Sequence, residues 1–345
     1  MNVLSWNCRG LGNPWTVHEL RKVVKQEGPV LLFVMETKID SKRVENLKFT
    51  LGFSGCFAVD SVGLSGGIGL FWSKDVDVTL GNYSSSHIDV TITQDSKRWR
   101  FTGLYGEPRT ENCHHTWRFM RTLSAIQHEG WTCMGDFNET LHADEQFGAN
   151  TRPESQMRPF REAVADCALQ DLGWRGVPFT WDNRQDGMAN VKARLDRALV
   201  NIAFLDMFEF AMVKHISSVE SDHCFVLAEL RSFAANKWSR AARSFRYENV
   251  WQTHAQYDAI VRQMWHVDAG QEGLQGIINA LAEVQQKLGP WGNKEFGNLT
   301  KKVKLLQKRL DHLRAASIGR GPSEEEKSIA SQLREALRQE EIWLK

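Results

Sequence analysis

The sequence predicts a mixed α/β fold, a sandwich of strands and helices, followed by a helical C-terminal segment. Over residues 1–232, short apolar runs bounded by turn residues alternate with segments of helical periodicity. Hairpin-like connections, marked by Gly63, Gly81 and Asn82, occur beside longer connections that contain a helix. This mixture favours packed mixed sheets over a simple doubly wound parallel sheet.

The predicted strands are either wholly apolar or alternate between apolar and polar residues. The run at 30–35 is apolar throughout, which is typical of a strand buried on both faces. The run at 88–93 places Ile88, Val90 and Ile92 on one face. Runs of these two kinds occur at 1–7, 30–35, 53–60, 66–72, 76–81, 88–93, 98–105, 131–137, 179–181, 194–200, 211–216 and 224–230.

Apolar residues at helical spacing predict the helices of the same part. In the first of these helices, Trp15, Leu20, Val23 and Val24 provide the apolar positions. Segments of this kind occur at 15–27, 42–50, 112–129 and 157–168. The polar segment 139–156 is predicted to be a loop.

The strand pattern stops near residue 232, and helical patterns continue from there to the C-terminus. Apolar residues recur at intervals of four and three, at Leu299, Val303, Leu306, Leu310 and Leu313. A glycine-rich break at 319–322 ends this stripe. Ser323 and Glu326 then form the pattern of a capping box for a second helix that continues through 344.

The two parts also differ in charge. The whole chain has a net charge of +1, but residues 1–232 hold 25 Lys and Arg against 29 Asp and Glu, and residues 233–345 hold 18 against 13. We predict a mildly acidic catalytic domain over 1–232 and a basic helical connector over 233–345. The connector is expected to continue into a longer reading frame. Its charge fits either contact with a nucleic-acid backbone or a solvated spacer.

Cysteine spacing and hydropathy exclude several classes of protein. The six cysteines form no close pair, which argues for reduced, buried thiols and against a disulfide framework or a zinc site. No apolar run is as long as a membrane span, and the N-terminus has no signal-peptide pattern. We therefore predict an intracellular protein.

Polar side chains occur where the predicted strands meet loops. Gly135-Asp136-Phe137-Asn138 ends one strand, and its two polar residues, spaced i and i+2, face the same side of an extended chain. Glycine, aspartate and asparagine in such a segment are common in ordinary turns, so the segment alone does not indicate a functional site. Each of the other polar residues at a strand end also has an alternative, purely structural role. The pattern becomes informative because it recurs at Asn7, Glu36, Tyr105, Asp196, Asp222 and His223.

These residue types suit phosphodiester hydrolysis assisted by a hard divalent cation. Carboxylate and amide oxygens bind Mg²⁺ or Mn²⁺ and do not suit a closed zinc site. The reaction also needs a group that orients or deprotonates water, and donors toward the phosphate. Glu36 fits the role of metal ligand and Asp136 the role of water orienter or base. The donors are Asn138, Tyr105 and His223.

Six ordered motifs now carry a family resemblance. They are Ser5-Trp6-Asn7, Met35-Glu36-Thr37-Lys38, Leu104-Tyr105, Gly135-Asp136-Phe137-Asn138, Arg194-Leu195-Asp196-Arg197 and Ser221-Asp222-His223. Their order and spacing resemble the endonuclease/exonuclease/phosphatase superfamily, which includes AP endonucleases and DNase I. Four finer features further resemble the endonuclease domain of plant non-LTR (LINE-type) retrotransposon polyproteins. They are Asn7-Cys8-Arg9-Gly10-Leu11-Gly12, Asp171-Leu172-Gly173, Phe179-Thr180-Trp181-Asp182-Asn183 and Arg194-Leu195-Asp196-Arg197.

The resemblance implies a DNase I-like, four-layer α/β sandwich with the site at one end of two packed sheets. It implies Glu36 and Asp222 as metal ligands, with Asn7 nearby, and Mg²⁺ or Mn²⁺ as the cofactor. One departure concerns Arg9, which occupies the position of an acidic residue in AP endonucleases. Retrotransposon-type members also lack that acid, so abasic-site specificity is not expected.

The resemblance also implies roles for the other strand-end residues. Asp136 is expected to activate water, and Asn138 and Tyr105 to contact the phosphate. Asp196 is expected to support His223, because a neighbouring carboxylate favours the imidazolium form of a histidine.

The predicted function is a Mg²⁺-dependent endonuclease that nicks DNA, as in retrotransposon target-site cleavage. Two alternatives stay open: a catalytically inactive retrotransposon remnant that acts as a binding module, and a phosphatase or RNA exonuclease of the same superfamily. The expected partners are the phosphate backbone of the nicked DNA strand and a reverse-transcriptase domain in a longer polyprotein, with no membrane. The substrate implies a nuclear or cytoplasmic location.

Overall fold

The fold is taken from a computed structural model of the chain. The residues that the structure describes are 1–63, 65–95, 97–126, 130–149, 151–208, 210–231, 251–252, 254–265, 273–295, 297–316 and 321–344. The chain forms two compact units. One consists of Met1–Ala235 and Leu310–Ser328, and the other of Asn236–Arg309 and Ile329–Lys345. Both sheets of the predicted sandwich belong to the first unit.

One sheet of this unit has seven strands that run in both directions. At its centre, Asn2–Asn7 is parallel to Leu31–Met35 and antiparallel to Phe225–Arg231. Asn7 and Met35 are register partners, so the ends of the two parallel strands meet at one edge. The spatial order of the strands is Arg175–Gly176, Phe210–Ile216, Phe225–Arg231, Asn2–Asn7, Leu31–Met35, Ser65–Trp72 and Gly55–Val62.

The second sheet has six strands and is also mixed. Gly130–Asp136 is parallel to Lys97–Tyr105 and antiparallel to Asp196–Val200. The spatial order of the strands is Gln170–Asp171, Asp196–Val200, Gly130–Asp136, Lys97–Tyr105, His87–Gln94 and Asp77–Ser84.

The two sheets pack face to face across the main hydrophobic core. Phe33 and Leu70 of the first sheet and Phe101 and Met134 of the second are fully or almost fully buried in it. Strands buried on both faces need continuous apolar sequence, which explains the wholly apolar run at 30–35.

Helices cover the outer face of each sheet. Pro14–Glu27 and Ser41–Leu51 pack on the first sheet through one apolar cluster. Cys113–Ser124 and Glu154–Asp166 pack on the second sheet through another. The order of layers is therefore helix, sheet, sheet, helix. The predicted four-layer α/β sandwich is confirmed.

Local sequence sets the limits of the helices on the first sheet. The Asn13 side chain accepts a hydrogen bond from the Trp15 N–H, and Pro14 follows at the first helical position. Gly28 ends this helix with φ +56°, a left-handed conformation that glycine adopts without steric cost. Asp40 caps the next helix by accepting from the Arg43 N–H.

A small three-stranded ribbon lies beside the edge that holds the predicted site. One of its strands is bonded to the chain segment around Asp222, because the Asp182 N–H donates to the Asp222 carbonyl oxygen over 3.1 Å. The spatial order of its strands is Trp181–Asp182, Lys192–Ala193 and Gln146–Phe147.

The structure differs from the sequence prediction around this ribbon. The segment 139–156, predicted to be a loop, contains Gln146–Phe147 and the start of the helix Glu154–Asp166. The strand predicted at 194–200 begins at Asp196, because the Asp196 N–H and the preceding N–H both donate to the Thr180 hydroxyl. These hydrogen bonds depend on another segment of the same chain, around Thr180, and leave no periodic signal in the sequence.

Helices predominate in the described part of the C-terminal region, at Tyr257–Met264, Gly273–Glu295, Gly297–Ala316 and Glu324–Leu344. Val303, Leu306 and Leu310 of the predicted stripe are buried. The Ser323 hydroxyl accepts from the Glu326 N–H over 3.0 Å, as a capping box requires. The predicted boundary at 232 lies at the start of 232–250, outside the described residues, so the predicted division stays a prediction. None of the described helices is both long and apolar enough to cross a bilayer.

Replacing Phe101 with alanine is expected to destabilise the sandwich. The side chain is buried between the sheets and packs edge-on against Phe33. Its removal should lower the free energy of unfolding by about 3–5 kcal/mol, measured by urea denaturation. Phe49→Ala is the matched control, because Phe49 is 76% exposed. Equal losses in the two variants would contradict the assignment of the core.

Candidate active site

Asp136 lies at the end of a central strand of the second sheet and is fully buried. Its register partners are Tyr105 on one side and Asp196 on the other, so three predicted site residues form one row across the sheet. Gly135 precedes it because a side chain there would meet the Leu104 carbonyl oxygen at 1.9 Å. The glycine of this motif thus permits close packing of two strands at the site.

Asn7 links the two sheets at this edge. Its buried side-chain amide donates to Glu36 Oε1 and to Asp136 Oδ2, each over 3.0 Å. Its Oδ1 accepts from the Arg9 N–H over 3.3 Å. The predicted metal ligand Glu36 and the predicted base Asp136 are therefore joined through one amide group.

Glu36 lies directly after a strand of the first sheet and has a left-handed backbone with φ +52°. The Tyr105 hydroxyl donates to its Oε1 over 3.0 Å, and Lys38 Nζ lies 3.0 Å from Oε2. Burial favours a raised pKa for Glu36. The hydrogen bonds from Asn7 and Lys38 and the nearby positive charges outweigh burial and lower the pKa below its usual value.

Tyr105 remains a neutral hydroxyl in this setting. Burial, followed by the charges of Glu36 and Asp136, holds the pKa of Tyr105 well above its usual range. Its O–H is therefore a donor, and in this structure it donates to Glu36 Oε1.

Asp222 stands opposite Glu36 across the guanidinium of Arg9. Arg9 Nη1 lies 3.2 Å from Asp222 Oδ2, and Arg9 Nε lies 3.8 Å from Glu36 Oε2. The indole N–H of Trp181 also donates to Asp222 Oδ2, over 3.1 Å. Within the described part of the chain, the buried Oδ1 of Asp222 has no hydrogen-bond donor.

His223 is held between two carboxylates. Its Nδ1 lies 2.9 Å from Asp196 Oδ2, and its Nε2 lies 3.9 Å from Asp136 Oδ2. Burial disfavours the charged ring, but Asp196, followed by Asp136, outweighs it and raises the pKa of His223 to about 9. His223 is therefore an imidazolium at neutral pH, and the predicted pairing of Asp196 with His223 is present.

The pKa of Asp136 is shifted in the direction opposite to that of Glu36. Burial, followed by the charge of Asp196, raises the pKa of Asp136 to about 6, against the opposing effects of His223 and Asn7. The carboxyl group is therefore mostly ionised near pH 7 but is a stronger base than a free aspartate.

Asn138 holds Asp136 from the C-terminal side. Its backbone N–H donates to Asp136 Oδ1 over 2.9 Å, and its side-chain amide donates to the Gly106 carbonyl oxygen over 2.8 Å. Its backbone is left-handed, with φ +55°. Asn138 thus positions the carboxylate in this structure, and its expected contact with a phosphate stays a prediction.

Two groups of residues here could attract a cation. Ligand atoms of Asp136, Asp196 and His223 all lie within 4.8 Å of one another. The raised pKa of His223 disfavours the neutral imidazole that a metal needs, so these three residues suit proton transfer better than metal binding. Glu36 and Asp222 instead offer hard oxygen atoms around one cationic guanidinium, including an unsatisfied Oδ1 on Asp222. This second group fits a divalent cation.

The model of the Endonuclease/Exonuclease/phosphatase family matches residues 4–223, a span that holds every residue described above. The chain belongs to this family. The family consists of metal-dependent nucleases and phosphatases, so the predicted membership and the coarse reaction class are confirmed. No curated protein sequence matches the chain.

Two solved structures of low sequence identity, each with a TM-score above 0.5, share the fold. The chain is similar to an AP endonuclease from Archaeoglobus fulgidus, with a TM-score of 0.53, 14% identity, and coverage of 67% of this chain and 100% of that one. It is similar to the 3′-5′ exonuclease NExo from Neisseria meningitidis, with a TM-score of 0.51, 16% identity, and coverage of 67% and 100%. The endonuclease domain of TRAS1, a telomere-specific non-LTR retrotransposon, has a TM-score of 0.49, 16% identity, and coverage of 67% and 99%.

All eight predicted site residues lie at one edge of the sandwich, in one connected set of polar contacts. Lys38, Thr180 and Trp181 also belong to the site but had no predicted role, although all three lie in the sequence motifs that carry the family resemblance. Lys38 contacts Glu36 and Trp181 contacts Asp222. The sequence did indicate Lys38 in one respect, because this residue lies two positions after the predicted metal ligand Glu36.

Asp196→Asn is expected to lower the pKa of His223 from about 9 toward the ordinary value of about 6.5, because it removes the largest charge that favours the imidazolium. In the wild type the folded pKa exceeds the unfolded one. His223 therefore stabilises the fold fully below about pH 6.5 and loses this contribution as pH rises through about 9. NMR titration of the ring in metal-free protein measures the shift. Asp206→Asn, an exposed counterpart, should leave the pKa unchanged.

Proposed function

We propose that this protein is a divalent-metal-dependent phosphodiesterase that nicks DNA. The observation that carries the proposal is the Asn7 amide shared by Glu36 and Asp136, with His223 3.9 Å from the same Asp136 oxygen. A carboxylate for the metal, a carboxylate for water and a cationic donor thus lie within one site, as phosphodiester hydrolysis needs.

The metal would be held by the oxygen atoms of Glu36 and Asp222, with Asn7 Oδ1 beside them. When bound, Mg²⁺ or Mn²⁺ supplies positive charge that stabilises the phosphate oxygens. The lowered pKa of Glu36 keeps this ligand ionised at neutral pH, as cation binding requires. Hard oxygen ligands suit Mg²⁺ and Mn²⁺ alike.

Asp136 and His223 divide the acid and base roles. Asp136 is ionised, buried and fixed by hydrogen bonds from Asn7 and Asn138, so it can orient water and accept its proton. The gap of 3.9 Å between His223 and Asp136 is too long for a direct hydrogen bond and leaves His223 Nε2 available to donate to a phosphate oxygen. Asp196 keeps the ring charged and oriented.

Tyr105 is the second donor toward the phosphate. It donates to Glu36 in this structure, and rotation about its C–O bond would direct the same O–H to a phosphate oxygen of the substrate. The high pKa of the hydroxyl excludes a phenolate nucleophile at neutral pH.

DNA as the substrate, and cleavage of a retrotransposon target site as the context, rest on the sequence motifs that resemble LINE-type endonuclease domains. The neighbouring structures named for an AP endonuclease and for an exonuclease support the fold alone. A nuclear location and a reverse-transcriptase domain in the same polyprotein also stay predictions. A phosphatase or RNA exonuclease would use the same catalytic residues on another substrate. An inactive binding module is the less favoured alternative, because all eight residues lie together.

Nicking of supercoiled plasmid in Mg²⁺ or Mn²⁺ tests the proposal. We expect nicked circles with the wild type, and a loss of about 10²–10⁴-fold in rate for Asp136→Asn and for His223→Ala, because each loses a proton-transfer or donor group. Asp206→Asn controls for the change of charge on the exposed surface. A panel with abasic DNA, RNA and a phosphomonoester distinguishes the alternatives. Absence of any metal-dependent cleavage would favour the binding module.

Arg9→Ala is expected to raise the affinity for Mn²⁺ by about 3–30-fold, because the guanidinium repels a second cation between Glu36 and Asp222. Titration calorimetry or Mn²⁺ electron paramagnetic resonance measures binding without DNA. Arg118→Ala, which removes an exposed arginine from an outer helix, should leave the affinity unchanged. An unchanged or lower affinity in Arg9→Ala would show that the metal binds elsewhere.

A further inference from the structure

The loop 217–221 leads directly into Asp222 and His223, and four of its five residues are buried. Ser217, Ser218 and Ser221 are each 1% exposed or less. Buried backbone groups must find hydrogen-bond partners inside the protein. The partners of this loop therefore decide where the two site residues lie.

The first partner is Glu19, a buried carboxylate on the first helix. It accepts from the Ser218 hydroxyl over 2.7 Å, from the Val219 N–H over 2.8 Å and from the Glu220 N–H over 3.2 Å. These three donors hold the middle of the loop against the outer helix of the first sheet.

The second partner is Arg184, from the connection between two strands of the small ribbon. Its guanidinium donates to the carbonyl oxygens of Ser218 and Val219, each over 3.0 Å, and to that of Ser221. The Glu19 carboxylate thus accepts hydrogen bonds from the N–H and O–H groups of the loop, and the Arg184 guanidinium donates to its carbonyl oxygens.

The third partner comes from the C-terminal segment Leu310–Ser328, which belongs to the same compact unit as the sheets. Asp311 Oδ1 accepts from the Ser217 N–H over 2.9 Å. Arg314 Nη1 donates to the Ser218 carbonyl oxygen over 3.1 Å. Arg314 is itself fixed by the buried Glu326, which lies 3.1 Å from its Nε.

The same segment contacts the ribbon connection that carries Arg184. Lys327 Nζ lies 2.6 Å from Asp186 Oδ1. A side chain on Gly321 would meet the Gly187 backbone nitrogen at 2.9 Å. Arg314 also lines the cavity that Asp222 and Trp181 border. The segment Leu310–Ser328 therefore contacts both the loop 217–221 and the ribbon connection that carries Arg184.

We propose that Leu310–Ser328 is a part of the catalytic unit, and that its Asp311 and Arg314 are positioning residues for Asp222 and His223. The inference rests on the proposed function, because it concerns the placement of those two residues. Asp311 and Arg314 do not touch the reacting atoms. They act through the loop 217–221, because Asp311 accepts from the Ser217 N–H and Arg314 donates to the Ser218 carbonyl oxygen.

Hydrogen exchange and steady-state nicking of the full chain test this proposal together. The variants are Asp311→Ala and Arg314→Gln, with Asp311→Asn as the conservative variant that keeps an acceptor. Lys308→Ala is the control, because Lys308 is exposed on the same helix. Circular dichroism confirms that each variant is folded, and Arg314→Gln tests the proposal if Asp311→Ala is not.

The expected result has a local and a kinetic component. Amide exchange in peptides that cover 216–223 should accelerate at least about tenfold in Asp311→Ala and Arg314→Gln, because local opening becomes easier. The kcat for nicking should fall by about 10-fold or more, while the KM for DNA changes by less than about 2-fold, because the misplaced groups act on the reaction and not on binding. Asp311→Asn should restore most of both values.

Unchanged exchange at 216–223 in both folded variants overturns the proposal, as does faster exchange with an unchanged kcat. An equal fall in Lys308→Ala also overturns it, because the loss would then be general to the helix. Failure of the proposed function gives a different result: the wild type does not nick DNA, while exchange at 216–223 still accelerates in the variants. The two inferences can therefore fail separately.

Discussion

The site depends on one buried amide group. Asn7 donates from a single nitrogen to Glu36 and to Asp136, which come from different sheets. Two carboxylates at such close range repel each other, and burial strengthens the repulsion. A neutral donor between them satisfies both without adding charge. It also fixes the edge of one sheet relative to the other, so the geometry of the site follows from the packing of the sandwich.

The surroundings of this amide shift the pKa values of its two carboxyl partners in opposite directions. Lys38 and Arg9 lower the pKa of Glu36, while burial and Asp196 raise that of Asp136. Two carboxylates of one hydrogen-bond network thus differ in basicity, which fits the roles of metal ligand and base that we propose for them. By the family resemblance, Arg9 occupies the position of an acidic residue in AP endonucleases. The positively charged group between Glu36 and Asp222 is therefore a side chain of the protein itself, the guanidinium of Arg9.

The structure changes the interpretation of the predicted basic connector, residues 233–345. Its excess of basic residues predicted either a nucleic-acid contact or a solvated spacer. Two of those residues, Arg314 and Lys327, contact loops of the first unit instead. Contact between DNA and the rest of the segment stays a prediction. Hydrogen bonds to the backbone of one loop thus link Asp311 and Arg314 to the segment that leads into Asp222 and His223.

The sequence patterns by themselves predicted a mixed α/β sandwich and eight polar candidates at the strand ends, and the family resemblance added the four layers. Strand and helix periodicities follow from burial of one or both faces, and polar residues at the ends of apolar runs must lie where strands meet loops. The tertiary structure alone decided their partners, since Asn7 and Asp136 are 129 residues apart in the chain. It also directed the Asn138 amide to the Gly106 carbonyl oxygen and brought Asp311 to the loop before Asp222. Hydrogen bonds between distant segments leave no periodic trace, because they depend on how the layers pack and not on local conformation.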